Sequence, residues 1–105
     1  MDCVAQRLIE WWHDGRGDPA QLFSAGFEYR GVSTSIKGDD WLHISRQGAR
    51  LTNVEILAVL GDQDWGAAAF QGSDPVTSLK YRAAWVIKAK EGKIVELIET
   101  MQVVE

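Results

Sequence analysis

A lone cysteine, Cys3, stands in a chain of 105 residues, so no internal disulfide and no cysteine-based metal cluster can form. With no basic-then-apolar leader at the N-terminus, that usage makes a reducing cytoplasm the expected setting. Positive charge is also scarce. Eleven Lys and Arg face fifteen Asp and Glu for a net charge of −4, and the basic residues are scattered rather than clustered. A nucleic-acid groove is disfavoured, because binding phosphates draws on grouped cations. No apolar run approaches the roughly 20 residues of a membrane span. His-x-His, His-x-x-x-His and Cys-x-x-Cys spacings are missing, and Gly15-x-Gly17 follows a helical stretch rather than a strand. Neither a metal nor a nucleotide-type cofactor is therefore expected.

What the chain does have is 46% hydrophobic residues and five tryptophans: Trp11, Trp12, Trp41, Trp65 and Trp85. This suits one soluble domain, residues 1–105, with a single core that any pocket must share. Val4, Ala5, Leu8, Ile9, Trp11 and Trp12 recur at helical spacing between Asp2 and His13, and Gly15 ends that helix. Asp18-Pro19 reads as an N-cap followed by proline at the first position of a short helix through Phe23. Gly26 to Val32 alternates apolar and charged residues, which predicts a strand with Phe27 and Tyr29 turned inward. Ser33 to Gly38 reads as a loop. Asp39 or Asp40 then caps a third helix holding Trp41, Leu42, His43 and Ile44.

The second half changes period. Val54–Leu60 and Trp65–Gln71 read as strands about a turn, with Gly66 to Ala69 small enough to leave space above the second. Gly72-Ser73-Asp74-Pro75 breaks the chain. Val76 to Lys90 alternates Tyr81, Ala83, Trp85, Ile87 and Ala89 against Lys80, Arg82, Ala84, Val86 and Lys88. Glu91-Gly92-Lys93 is a hairpin turn, and Ile94–Val104 is the last strand. Helices first and an antiparallel meander afterwards make the class α+β, with N-terminal helices packed on a curved sheet.

Leu22-Phe23 ahead of a Phe-x-Tyr-x-Gly strand, and Glu91-Gly92-Lys93-Ile94-Val95 ahead of a strand with a central carboxylate, resemble the SnoaL-like group of the nuclear transport factor 2 superfamily. The resemblance spans the whole chain and implies a cone-shaped, cystatin-like fold whose open end is a pocket, with homodimers through the sheet. It also implies that the chain is short, so that a dimer mate rather than a C-terminal extension would close the pocket. Ketosteroid isomerases of this fold use an Asp base, a second Asp and a Tyr. Those positions fall on Gly31, near Ala84 and near Arg7, so that chemistry is not expected. Limonene-epoxide hydrolases match better at Tyr29 and at Glu99, the last-strand acid. Gly31 stands where they have Asn, and Ala67 to Gln71 supplies no Arg or Asp.

The expected cone is lined by Leu8, Trp12, Phe27, Tyr29, Trp41, Ala67, Ala69, Tyr81, Trp85, Leu97, Glu99 and Met101. Glu99 shares a face with Leu97 and Met101, where burial would raise its pKa into the range of an acid or base. Tyr29 could donate a hydrogen bond to a ligand carbonyl or to Glu99. His43, with an ordinary pKa of roughly 6.5, is a candidate proton carrier or ligand contact. His13 suits the C-terminal end of the first helix. Such walls suit a small hydrophobic ligand. Catalysis on a steroid-, terpenoid- or polyketide-like substrate would use Glu99 as acid or base. A non-catalytic dimeric module would instead fill the cone with its own aromatics.

Overall fold

The computed structural model of the chain describes residues 3–31, 35–38, 40–42 and 51–104. Helix α1, Val4–Asp14, turns Val4, Ala5, Leu8, Ile9, Trp11 and Trp12 to one buried side, as its helical spacing requires. Cys3 caps it, its Sγ accepting the Gln6 N–H at 3.4 Å, and Gly15 closes it by donating back to the carbonyls of Glu10 and Trp11. Asp18 caps the short helix α2, Pro19–Leu22, through the Ala20 N–H at 2.9 Å. His13 lies in the last turn of α1, 2.8 Å from the carboxylate of Asp14.

Six strands follow: β1 Phe23–Arg30, β2 Ser35–Lys37, β3 Thr52–Gly61, β4 Trp65–Ser73, β5 Lys80–Lys90 and β6 Lys93–Val103. They form one curved sheet in the order β2-β1-β6-β5-β4-β3. Every neighbouring pair is antiparallel except β1 and β6, which run parallel. The class is α+β, as the sequence predicts.

Besides shifts of one or two residues at other strand ends, three places differ from expectation. β1 begins at Phe23 rather than Gly26, directly from the end of α2. β2 lies in the stretch read as a loop, because three residues are too few for an alternating pattern to register. β5 starts at Lys80 rather than Val76, because the Asp74 carboxylate accepts the N–H groups of Val76 at 2.7 Å and Thr77 at 3.1 Å and folds the chain into a turn. Of the expected third helix, Asp40, Trp41 and Leu42 are helical, and so is Gly38, at the end of the stretch read as a loop. His43 lies outside the described residues.

The β5–β6 hairpin fixes everything downstream. Glu91 and Gly92 both take positive φ, 54° and 79°, the pattern of a tight two-residue turn. Lys90 opposes Lys93 and Ala89 opposes Ile94, but Lys88 opposes Glu96, so Val95 is an extra residue in β6. That bulge slips the register by one and sets Trp85 opposite Glu99.

Gly66, Ala68 and Phe70 of β4, Ala83, Trp85 and Ile87 of β5, and Leu97 and Glu99 of β6 share the inner face, under α1. Helix α1 fills the room above the small residues instead of leaving a cavity. A Cβ on Gly66 would lie 2.9 Å from the Cβ of Ala5. At the closed end, the Arg7 guanidinium donates to the carbonyl of Gly92 and ties α1 to the hairpin turn.

Candidate functional site

Cross-strand pairing puts Glu99 between two donors on neighbouring strands. Trp85 is directly opposite it on β5, and Tyr29 of β1 pairs with Leu97, one inward position away. The Tyr29 hydroxyl donates to Glu99 Oε1 at 2.5 Å, and the Trp85 indole Nε1–H donates to Oε2 at 2.6 Å. Each carboxylate oxygen thus takes one short hydrogen bond of the kind that charge strengthens. The Tyr29 phenol is held well above its ordinary pKa of 10.0, first by burial, then by its bond to Glu99 and by the negative charge there. Its proton is committed to Glu99 rather than offered outward. What the cluster still presents is acceptor capacity: the remaining lone pairs of Glu99 and of the Tyr29 oxygen.

The donors belong to two aromatic groups. Trp85 packs edge-on against Phe70 at 4.6 Å and Trp12 at 5.2 Å between ring centroids. Tyr29 stacks on Trp41 at 5.5 Å and 16°, and Trp41 in turn meets Phe27, Phe23 and Trp11. Edge-on and offset contacts of this kind are favourable beyond the area they bury. Glu99 joins the two groups across the inner face.

Burial along β6 shows where this face meets solvent. Leu97 is fully buried, Glu99 is partly exposed, and Met101 and Val103 reach 38% and 47% exposure. Tyr81, opposite Val103, is half-buried. The end of the sheet carrying Tyr81, Met101 and Val103 is therefore its open end, with Glu99 just inside.

The expected lining residues divide accordingly. Leu8, Trp12, Phe27, Trp41, Trp85 and Leu97 are buried in the core cluster. Tyr81 and Met101 stand at the open end. Ala67 and Ala69 are on the outer face, because Gly66, Ala68 and Phe70 take the inward positions of an alternating strand. Ala84 is likewise on the outer face, opposite Thr100, and Arg7 points to Gly92. The part of Trp85 as a hydrogen-bond donor is the feature sequence reasoning missed. A buried indole N–H needs a partner, but only the slipped register identifies Glu99 as that partner.

Surface cavities of about 300 Å³ beside Arg7, Glu10 and Arg16, and of about 410 Å³ beside Pro19, Phe23 and Lys93, include none of the expected lining residues, whereas one of about 260 Å³ beside Arg82, Ala84 and Thr100 takes in Ala69 and Met101. Among the described residues no three His, Cys, Asp or Glu side chains gather as a metal site requires, and no helix is long and apolar enough to cross a membrane.

A scan against protein-family models found no match, and a search of curated proteins found none. Solved structures do match. A nuclear transport factor 2-like protein of unknown function from Mesorhizobium loti superposes with a TM-score of 0.73 at 14% identity, covering 94% of this chain and 88% of the other. A SnoaL-like protein of the same organism, provisionally named a polyketide cyclase, gives 0.69 at 14% identity, covering 91% and 94%. A de novo designed protein with the nuclear transport factor 2 fold gives 0.63 at 16% identity, covering 92% and 80%. With the helices, the curved mixed sheet and the parallel β1–β6 pair already described, these matches show that the chain has the nuclear transport factor 2-like fold.

Proposed function

We propose that this protein binds a small, mainly apolar molecule at the open end of the inner face, with Glu99 as the polar anchor and Tyr81 and Met101 beside the entrance. The observation that carries this is a partly exposed carboxylate among aromatic side chains, fixed at both oxygens by Tyr29 and Trp85. Few polar groups placed in an apolar concavity are the ordinary make-up of a ligand site. In a catalytic form, an isomerase or hydrolase acting on a steroid-, terpenoid- or polyketide-like substrate, Glu99 would move the proton and Tyr29 would hold it in position. Tryptophan fluorescence titrated with steroid-like, terpenoid and aromatic compounds tests the binding, since Trp85 touches Glu99. Saturable quenching or shift is expected, and a silent panel would sink the proposal. If there is turnover, Glu99→Gln should abolish it with the fold intact.

A second reading, a non-catalytic homodimeric interaction module, draws on the outer face. Leu60, Trp65 and Val86 are 64%, 53% and 42% exposed there, beside the small side chains of Ala67, Ala69 and Ala84. Exposed apolar area of this kind marks interaction surfaces. Sedimentation of the unmodified chain and of Val86→Glu decides it: a dimer that the substitution dissociates favours this reading, and a monomer in both samples removes it.

A further inference from the structure

The hydrogen-bond inventory around Glu99 is one-sided. Tyr29 and Trp85 direct their protons to the carboxylate, leaving acceptor capacity on the partly exposed Glu99 and Tyr29 and no free donor between the three side chains. Among the cations whose side chains are described, none pairs with Glu99. Arg30 and Lys88 are engaged with Glu96 on the outer face, Arg82 bonds Gln71 there, and Arg7 bonds the Gly92 carbonyl. Lys90 and Lys93 are exposed at the hairpin turn, and Lys80 is exposed at the start of β5.

A partly desolvated carboxylate that accepts from two neutral donors discriminates among ligands by what each brings. A carbonyl or carboxylate would place acceptor against acceptor, and the latter would add like charge. A hydroxyl returns one hydrogen bond. A protonated amine returns a charge-assisted bond and also neutralises the site, in surroundings where low polarity strengthens the attraction and ring faces favour cations.

We infer that the ligand is an organic cation: a protonated amine on an apolar or aromatic frame, its nitrogen bonded to Glu99. This rests on the binding proposed above and narrows it to a chemical class. It also runs against a ketone held by Tyr29, whose proton is not free to give.

Calorimetric titration near neutral pH with naphthylmethylamine, naphthylmethanol and naphthoic acid, repeated with the corresponding amine, alcohol and acid on a saturated terpenoid frame, tests it. The amine should bind about tenfold tighter than the alcohol of the same shape, and the acid should not bind. Added salt should weaken the amine and leave the alcohol unchanged. Glu99→Gln should bring amine and alcohol to parity. Equal affinities across a series, the acid binding tightest, or an amine preference surviving Glu99→Gln would overturn the inference while leaving ligand binding standing. Silence from both series would overturn ligand binding and the inference together. The ranking and its salt dependence are read on the unmodified protein, so the outcome does not depend on the variant folding.

Discussion

The two faces of the sheet are built on opposite rules. On the inner face large rings from α1, β1, β4 and β5 interlock, and one carboxylate is bound at both oxygens. The outer face is laid out in rows across the strands. Trp65, Lys88, Glu96 and Glu28 make one row, Leu60, Ala67, Val86 and Ile98 the next, then Ala58, Ala69, Ala84 and Thr100, and finally Glu55, Gln71, Arg82 and Gln102. The first row is charged and linked, with the Lys88 ammonium 5.3 Å from the Trp65 ring centroid and 3.2 Å from Glu96, and Glu96 2.6 Å from Arg30. Ion pairs whose cations are this exposed are worth little each. Stability therefore resides inside, and the outer surface can vary at small cost in a monomer.

Removing an inner ring should cost the fold most. Phe70→Ala should cost about 3–5 kcal/mol in urea denaturation, because it removes a fully buried side chain against Trp12 and Trp85. A subtler change, Trp85→Phe, keeps most of the ring and deletes the donor to Glu99 Oε2. A loss of about 2 kcal/mol is expected, since a partly buried acceptor then lacks its partner. Gly66→Ala should cost about 1 kcal/mol by the same measurement, because the new methyl meets Ala5 and Val4 of α1.

Tyr29→Phe sharpens the contrast through pH. In the fold Tyr29 holds its proton above the ordinary value of 10.0, so the stability this supplies is complete below pH 10 and is lost as pH rises beyond it. Tyrosinate absorbance at alkaline pH should therefore lose, in Tyr29→Phe, amplitude that lies above pH 10.0, and the fall in stability over that range should flatten. The smallest effect belongs to the outer face. Val86→Ala should stay within about 0.5 kcal/mol. A larger cost that grows with protein concentration would mean that a second copy covers this surface.

Much of the division into faces is legible in the sequence. Tyr81, Ala83, Trp85, Ile87 and Ala89 declare an inward row because a strand alternates with period two, and Gly15, Asp18 and Pro19 mark helix ends by their backbone chemistry. Glu99 and Tyr29 were legible as a pair on the inner side. Their third member was not. Counting back from the Glu91-Gly92 turn without a bulge sets Ala84, not Trp85, opposite Glu99, and nothing in the residues at 88–96 announces the extra position. The placement of Ala67 and Ala69 failed for a related reason: a run of four small residues carries no alternation by which to choose a side.

The extra residue in β6 also decides which changes of length this protein tolerates. Deleting Val95 would remove the bulge and keep the pairing, since the register set at the turn would then run on with Lys88 facing Glu96 and Trp85 facing Glu99. One residue inserted between Glu96 and Glu99 would instead carry the carboxylate past Trp85 to Ala84. Relatives of this shape can in this way lose a polar centre by a single insertion, without any substitution at the residues that compose it.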